Sequence, residues 1–339
     1  MGKIEINSKY VKQIIVVFLL FLLLLFAAFA ALSVGEINFT LYEILDIFRN
    51  KSGIEYTILN NIRLPRIVLG IAVGGALSLS GVVLQGVYRN PLVEPYTLGI
   101  SGGASLGVAI TIIFNLSLMF GVYMLPVSGF IGAVVTTFLV YILAVRKSYY
   151  NINRMLLIGV MISFMSSSTM MFLMSTTTAE NMNSIVFWIM GSLDEPNTSL
   201  VQVVFYISFT GLLLSYLLAN QLNALRLGES KAKHLGVNTT FTIRALFILA
   251  SVLTGVSVSV AGVIGFVGLI IPHLLRMVIG SDYRFLLIAS FLGGSIFILI
   301  SDIIARTIIA PNELPIGVIT GMIGGIVFII VMSKSKMKV

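Results

Sequence analysis

Long apolar runs dominate the chain, separated by short charged or Pro/Gly-rich breaks. The runs fall near 13–33, 62–87, 97–114, 121–145, 154–177, 200–219, 241–261, 264–279, 284–306 and 315–333. A helix needs ~20 apolar residues to cross a ~30 Å hydrocarbon layer, and most of these runs reach that length. Lipid offers no water to unpaired backbone groups, so each run is predicted to be a helix. The pattern predicts an all-α polytopic membrane protein, residues 1–339 forming a single transmembrane domain of about ten helices.

The run at 264–279 is short for a crossing and contains Pro272 and His273, as a re-entrant or broken segment would. Charge decides in favour of a crossing. With ten crossings and both termini inside, sixteen Lys and Arg residues lie on the inner side and five, Arg49, Lys51, Arg63, Arg66 and Arg306, on the outer. Deleting the short crossing would put Lys334, Lys336 and Lys338 outside, against the positive-inside tendency. The first run, with lysines before it and Ala28-Phe29-Ala30 near its end, has features of a cleaved signal peptide, but its length favours a retained helix. The longest polar stretches are 34–61 and 178–199 outside and 220–240 inside. Ile185 to Ile189, with Trp188, reads as an amphipathic helix at the membrane interface.

Composition narrows the function. Apolar residues make up 58% of the chain, against 21 Lys plus Arg and 13 Asp plus Glu, which excludes an ordinary soluble domain. The net charge of +8 belongs to the inner loops and needs no nucleic acid as partner. Cysteine is absent, which removes disulfides, thiolate metal sites and cysteine nucleophiles. No G-x-x-x-x-G-K-[S/T] loop occurs, so any ATP hydrolysis must be done by another polypeptide. Proton- or sodium-coupled carriers usually need buried acids and histidines at mid-depth. Here Asp302 falls near the outer end of its run and His273 near the inner end of the short one. His234 and His273 make neither a metal ligand set nor a catalytic cluster, so neither a bound metal nor an enzyme is expected.

Small residues recur four apart at Gly70/Gly74, Gly99/Gly103/Gly107, Ser251/Gly255/Ser259 and Gly317/Gly321/Gly325, spacing that lets helices approach closely inside one subunit or along a dimer seam. The fifth run carries Met155, Met161, Met165, Met170, Met171 and Met174 beside Ser166, Ser167, Ser168 and Thr169. Thioethers and hydroxyls adapt to a bulky cargo without fixed charge, which makes Met161, Met165, Ser167 and Ser168 pathway candidates; core filling is the alternative.

Five ordered motifs remain: Arg63-Leu-Pro-Arg66; Gly81-Val-Val-Leu-Gln85 running into Arg89-Asn-Pro-Leu92 and Glu94-Pro95; Leu98-Gly-Ile-Ser-Gly-Gly-Ala104; Gly265-Phe-Val-Gly-Leu-Ile-Ile-Pro-His-Leu-Leu-Arg276; and Ser301-Asp-Ile-Ile-Ala-Arg306 followed by Glu313-Leu-Pro-Ile-Gly317. From about 60 to 333 they resemble the FecCD-type permease subunits of iron-siderophore, haem and vitamin B12 ABC importers. The resemblance implies a type II importer in the cell membrane. Such an importer has two permease copies (a homodimer, or a heterodimer with a paralogue), two cytoplasmic ATPases carrying ATP and Mg, and an extracytoplasmic substrate-binding protein. The permease itself binds no cofactor.

In that family, arginines matching Arg63, Arg66 and Arg306 meet acids on the binding protein; internal pairing, Arg306 with Asp302 one turn back, is the alternative. The segment 221–239, with Leu227, Gly228, Glu229, Ala232, Leu235 and Gly236, resembles the helix that couples to the ATPase. Asn151 and Asn153 match the region narrowing the inner exit. The resemblance places the Asn90–Pro95 turn inside, near the ATPase, with a purely structural bend as the preferred reading, and Gln85 reads as packing glue. One departure is Gly324-Gly325-Ile326-Val327-Phe328, which replaces the family's Gly-x-Pro-x-Phe. The cargo stays open among iron chelate, haem, corrinoid and oxyanion, and the rival function is a self-sufficient secondary transporter or channel.

Overall fold

The computed structural model describes residues 2–146, 149–150 and 152–334. Helix α1 (Gly2–Ser33) leads to α2 (Leu41–Asn50) and α3 (Ile54–Thr57), which continues through a π-helical turn, Ile58–Arg63, into α4 (Leu64–Tyr88). A 3-10 turn, Pro95–Leu98, precedes α5 (Ile100–Ile113), α6 (Leu116–Phe120) and α7 (Met124–Ala144). The two-residue strands β1 (Val145–Arg146) and β2 (Tyr149–Tyr150) pair antiparallel. Then follow α8 (Ile152–Thr176), α9 (Ala179–Ile189), α10 (Thr198–Leu217), α11 (Ala219–Leu225) and α12 (Glu229–His234). The chain closes with α13 (Thr239–Ala261), α14 (Val267–Ile279), α15 (Tyr283–Thr307) and α16 (Ile316–Lys334). The end of the bundle that carries the lysine- and arginine-rich links is termed inner below.

Among the described residues, 8 helices are long and apolar enough to cross a membrane. The runs expected at 97–114 and 264–279 yield instead the 14-residue α5 and the 13-residue α14, each only ~20 Å long. Backbone geometry shortens them. Pro95 and the left-handed Gly99 consume the start of one run, and Phe266, also left-handed, interrupts the other. The two broken lead-ins meet inside the protein. The Glu94 carboxylate accepts the Phe266 N–H at 2.7 Å, and the Tyr96 hydroxyl donates to Ile264 O at 3.0 Å and accepts from Ile264 N–H at 3.1 Å. Irregular backbone is tolerated at such depth when protein groups satisfy it in this way.

Helix α4 is the hub, buried along most of its length and packed by α15, α13, α10 and α14. Glycine makes this possible: a Cβ on Gly81 would collide with Gly268 O of α14. Gly70/Gly74 and Gly103/Gly107 likewise pack inside the subunit, against α15 and α7. In the last row Gly317 packs closely on Met190 O, whereas Gly321 and Gly325 of α16 meet nothing and present an open face. Helix α16 runs unbroken through Gly324-Gly325, consistent with the missing proline. Helix α9 docks by its C-terminal link: Ser192 N–H donates to Ala261 O at 2.9 Å, and Gly317 N–H to Met190 O at 3.0 Å. Trp188 is half-buried and packs on the main core.

Candidate functional site

At the outer end, the start of α4 and the end of α15 bring Arg66 and Arg306 around one carboxylate, with Arg63 beside them. Asp302, buried in α15, takes Arg66 Nε on Oδ1 at 2.8 Å and Arg306 Nε on Oδ2 at 3.0 Å. Arg66 also pairs with the half-exposed Glu313 at 2.7 Å. Arg306 donates to Val34 O at 3.3 Å and Ala31 O at 3.2 Å, while Arg63 donates to Leu32 O and Ile37 O and stacks 5.0 Å over the Phe39 ring. The link after α1 is thereby wrapped around the arginines. Their exposures of 5%, 8% and 8% show that the forks face inward. Each arginine is engaged within the chain, the internal pairing that stood beside docking as the alternative, because a buried cation needs a counter-charge or carbonyl at hand. The i, i+4 pair Asp302/Arg306 was legible in the sequence; the capture of Arg66, far away in the chain, was not.

At the inner end, the 221–239 segment folds as α11, a short link, and the six-residue α12. Gly228 and Gly236 bracket α12 with φ of 109° and 83°, conformations that L side chains rarely adopt. Ala232 is completely buried and anchors α12 to the core. Glu229 pairs with Lys233 at 2.9 Å and accepts from Thr239 Oγ1 at 3.3 Å. Leu227 and Leu235 are exposed, and Leu235 lines a cavity of about 430 Å³ together with Val237 and Phe241. Apolar side chains exposed on a polar end mark a covered surface.

Helix α8 presents Met161, Met165 and Ser168 on an exposed stripe, with Ser167 half-buried beside it. Its opposite face packs on α5 and α7. Asn151 and the side chain of Asn153 lie outside the described residues. Gln85 is the glue it was expected to be: its amide donates to Gly268 O at 3.1 Å and its carbonyl accepts from Arg276 at 3.1 Å. The Asn90–Pro95 bend is locked by Leu92 N–H donating to Asn90 Oδ1 at 2.9 Å.

Sequence reasoning missed an inner cavity of about 400 Å³ lined by Arg89, Arg226, His273 and Arg276. These residues are scattered over three links and helices, and no local spacing announces them.

Comparison with known proteins agrees with this architecture. Residues 22–334 match the FecCD transport family. The haemin transport system permease protein HmuU of Yersinia pestis is 40% identical over 271 residues, covering 79% of this chain and 81% of that one. The cobalamin import system permease protein BtuC of Halobacterium salinarum is 37% identical over 283 residues, 83% of this chain and 74% of that one. The molybdate import system permease protein MolB of Haemophilus influenzae is 34% identical, covering 90% and 91%. Among solved structures, a metal-chelate type ABC transporter in an inward-facing conformation superposes with a TM-score of 0.82 at 33% identity, covering 95% of this chain and 100% of that one. With the family match running through nearly the whole bundle, and relatives of this identity spanning most of it, the chain belongs to the FecCD transport family as the membrane-spanning permease subunit of an ABC importer.

Proposed function

We propose that the cargo is a bulky metal chelate or tetrapyrrole, a ferric siderophore, haem or cobalamin, carried inward between two copies of this chain. The observation that carries this reading is the exposed stripe Met161, Met165 and Ser168 on α8, which offers an adaptable surface without charge, together with relatives named for haemin and cobalamin. A molybdate permease on the same framework makes a small oxyanion the competing cargo.

In this reading two ATPases, which hold ATP and Mg, seat on α12 through Leu227 and Leu235, with Gly228 and Gly236 setting its angle and Glu229 and Ala232 fixing it to the bundle. Asn151 and Asn153 narrow the inner exit. A binding protein docks on the opposite end, where the Arg63/Arg66/Arg306 cluster with Asp302 and Glu313 leaves one net positive charge to steer an acidic surface. Both termini lie in the cytoplasm, as the sixteen-to-five distribution of Lys and Arg favours. The open Gly321/Gly325 face of α16 and the exposed face of α8 support a second copy, identical or paralogous.

The test is uptake into proteoliposomes. Permease with ATPase and binding protein should accumulate labelled haemin or cobalamin when ATP is supplied, and permease alone should not. Accumulation by the permease alone would establish the secondary carrier instead, and ATP-driven uptake of molybdate without haemin or cobalamin would replace the cargo.

A further inference from the structure

The inner cavity of about 400 Å³ has no part in cargo, docking or coupling as described above. Arg276 lies in the last turn of α14 and forms its floor, holding Gln85 Oε1 at 3.1 Å. Arg226 donates to Ser281 O at 2.8 Å, and Arg89, the left-handed C-cap of α4, completes the exposed rim. Each guanidinium has five N–H donors. One hydrogen bond therefore leaves most of the fork of Arg226 unused.

No Asp or Glu lines the cavity. The neighbouring Asp282 is turned towards Arg284 at 2.7 Å and Asn223 at 2.9 Å. Three guanidinium groups thus converge without a carboxylate, an arrangement that favours a bound anion. Depth selects its source. The cavity sits where α4 and α14 end and α15 begins, and next to Arg276 the apolar Met277 and Val278 are exposed, Met277 at 65%. That juxtaposition fits a molecule with a phosphate at one end and acyl chains at the other.

We propose that the cavity lined by Arg89, Arg226 and Arg276 is a binding site for the phosphate headgroup of an anionic phospholipid of the inner leaflet. Basic pockets between membrane helices on this side suit such headgroups. The site rests on the inner orientation proposed above. Because Arg226 directly precedes the α12 link and Gly228 abuts the Arg89 guanidinium, a bound lipid ties the coupling segment to the end of the hub helix α4.

The experiment is native mass spectrometry of the full-length chain titrated with phosphatidylglycerol or phosphatidylcholine. Wild type should retain phosphatidylglycerol preferentially, and Arg89→Gln with Arg226→Gln, both on the exposed rim, should lower that retention by roughly an order of magnitude. Arg276→Gln should act in the same direction, whereas Arg49→Gln at the far end should have no effect. Equal retention by wild type and the rim variant overturns the site. Complete displacement by millimolar inorganic phosphate makes it a free-anion site and overturns the lipid assignment. Loss of ATPase co-purification with lipid retention intact assigns the arginines to the ATPase and likewise overturns it. Orientation is read separately by labelling Ser230→Cys: modification only from outside would refute the inner placement without altering the binding data.

Discussion

Asp302 shows how one side chain organises an end of the molecule. It is buried and shared by Arg66 and Arg306, so removing its charge leaves two covered cations with one half-exposed glutamate between them. Breaking a buried pair by deleting one partner costs about 3–5 kcal/mol. Asp302→Asn is therefore expected to lower the thermal midpoint in detergent markedly, and an unchanged midpoint would remove the cluster from the list of structural supports. Asp282, the N-cap of α15, acts through pH. Burial pushes its carboxyl up, but hydrogen bonds from Arg284 and Asn223 outweigh that and hold it down to about 2. The unfolded carboxyl titrates near ~3.9, so the contribution is complete above about pH 4 and is lost as pH falls towards the folded value. Melting curves taken from neutral to acidic pH should show a smaller acid loss in Asp282→Asn than in wild type; parallel losses would contradict the pairing.

The coupling segment is an element whose faces only folding distinguishes. In sequence, Ala232 and Leu235 are both apolar residues of the segment that resembles the coupling helix, with nothing to tell them apart. The structure separates them: Ala232 is turned into the bundle and Leu235 is 63% exposed. Ala232→Arg should thus unfold the attachment of α12 and lower expression and melting temperature together. Leu235→Asp should leave the melt unchanged while reducing ATPase co-purification several-fold. A Leu235→Asp protein that retains its ATPase would show that the exposed leucine is not the contact. The short helices α5 and α14 carry a related lesson. Their apolar runs were visible, but a left-handed residue at each start and the Glu94 and Tyr96 bonds between them decide that each is a short helix behind an irregular lead-in.

For the whole molecule, the absence of native cysteine makes topology directly measurable. Single substitutions Ser230→Cys on α12 and Ser52→Cys in the link between α2 and α3 should be labelled from opposite sides of the membrane. Labelling of both from one side would reject the ten-crossing arrangement. The bundle is held by close backbone approach around α4, as at Gly81 and Gly268, and its remaining apolar faces on α8 and α16 are open to lipid or to a second copy.

Membrane residence, helix number within the two short elements, the charge asymmetry and family membership were already determined by the linear chain, because hydrophobic run length and motif order are local properties that survive without coordinates. The tertiary structure alone decided that the outer arginines are internally partnered, that Ala232 is an anchor, that the two broken helices pin each other, and that Arg89, Arg226 and Arg276 share a cavity. Each of these depends on side chains distant in sequence converging on one carboxylate, carbonyl or void, and such convergence is set by how ten helices pack and not by the spacing within any one of them.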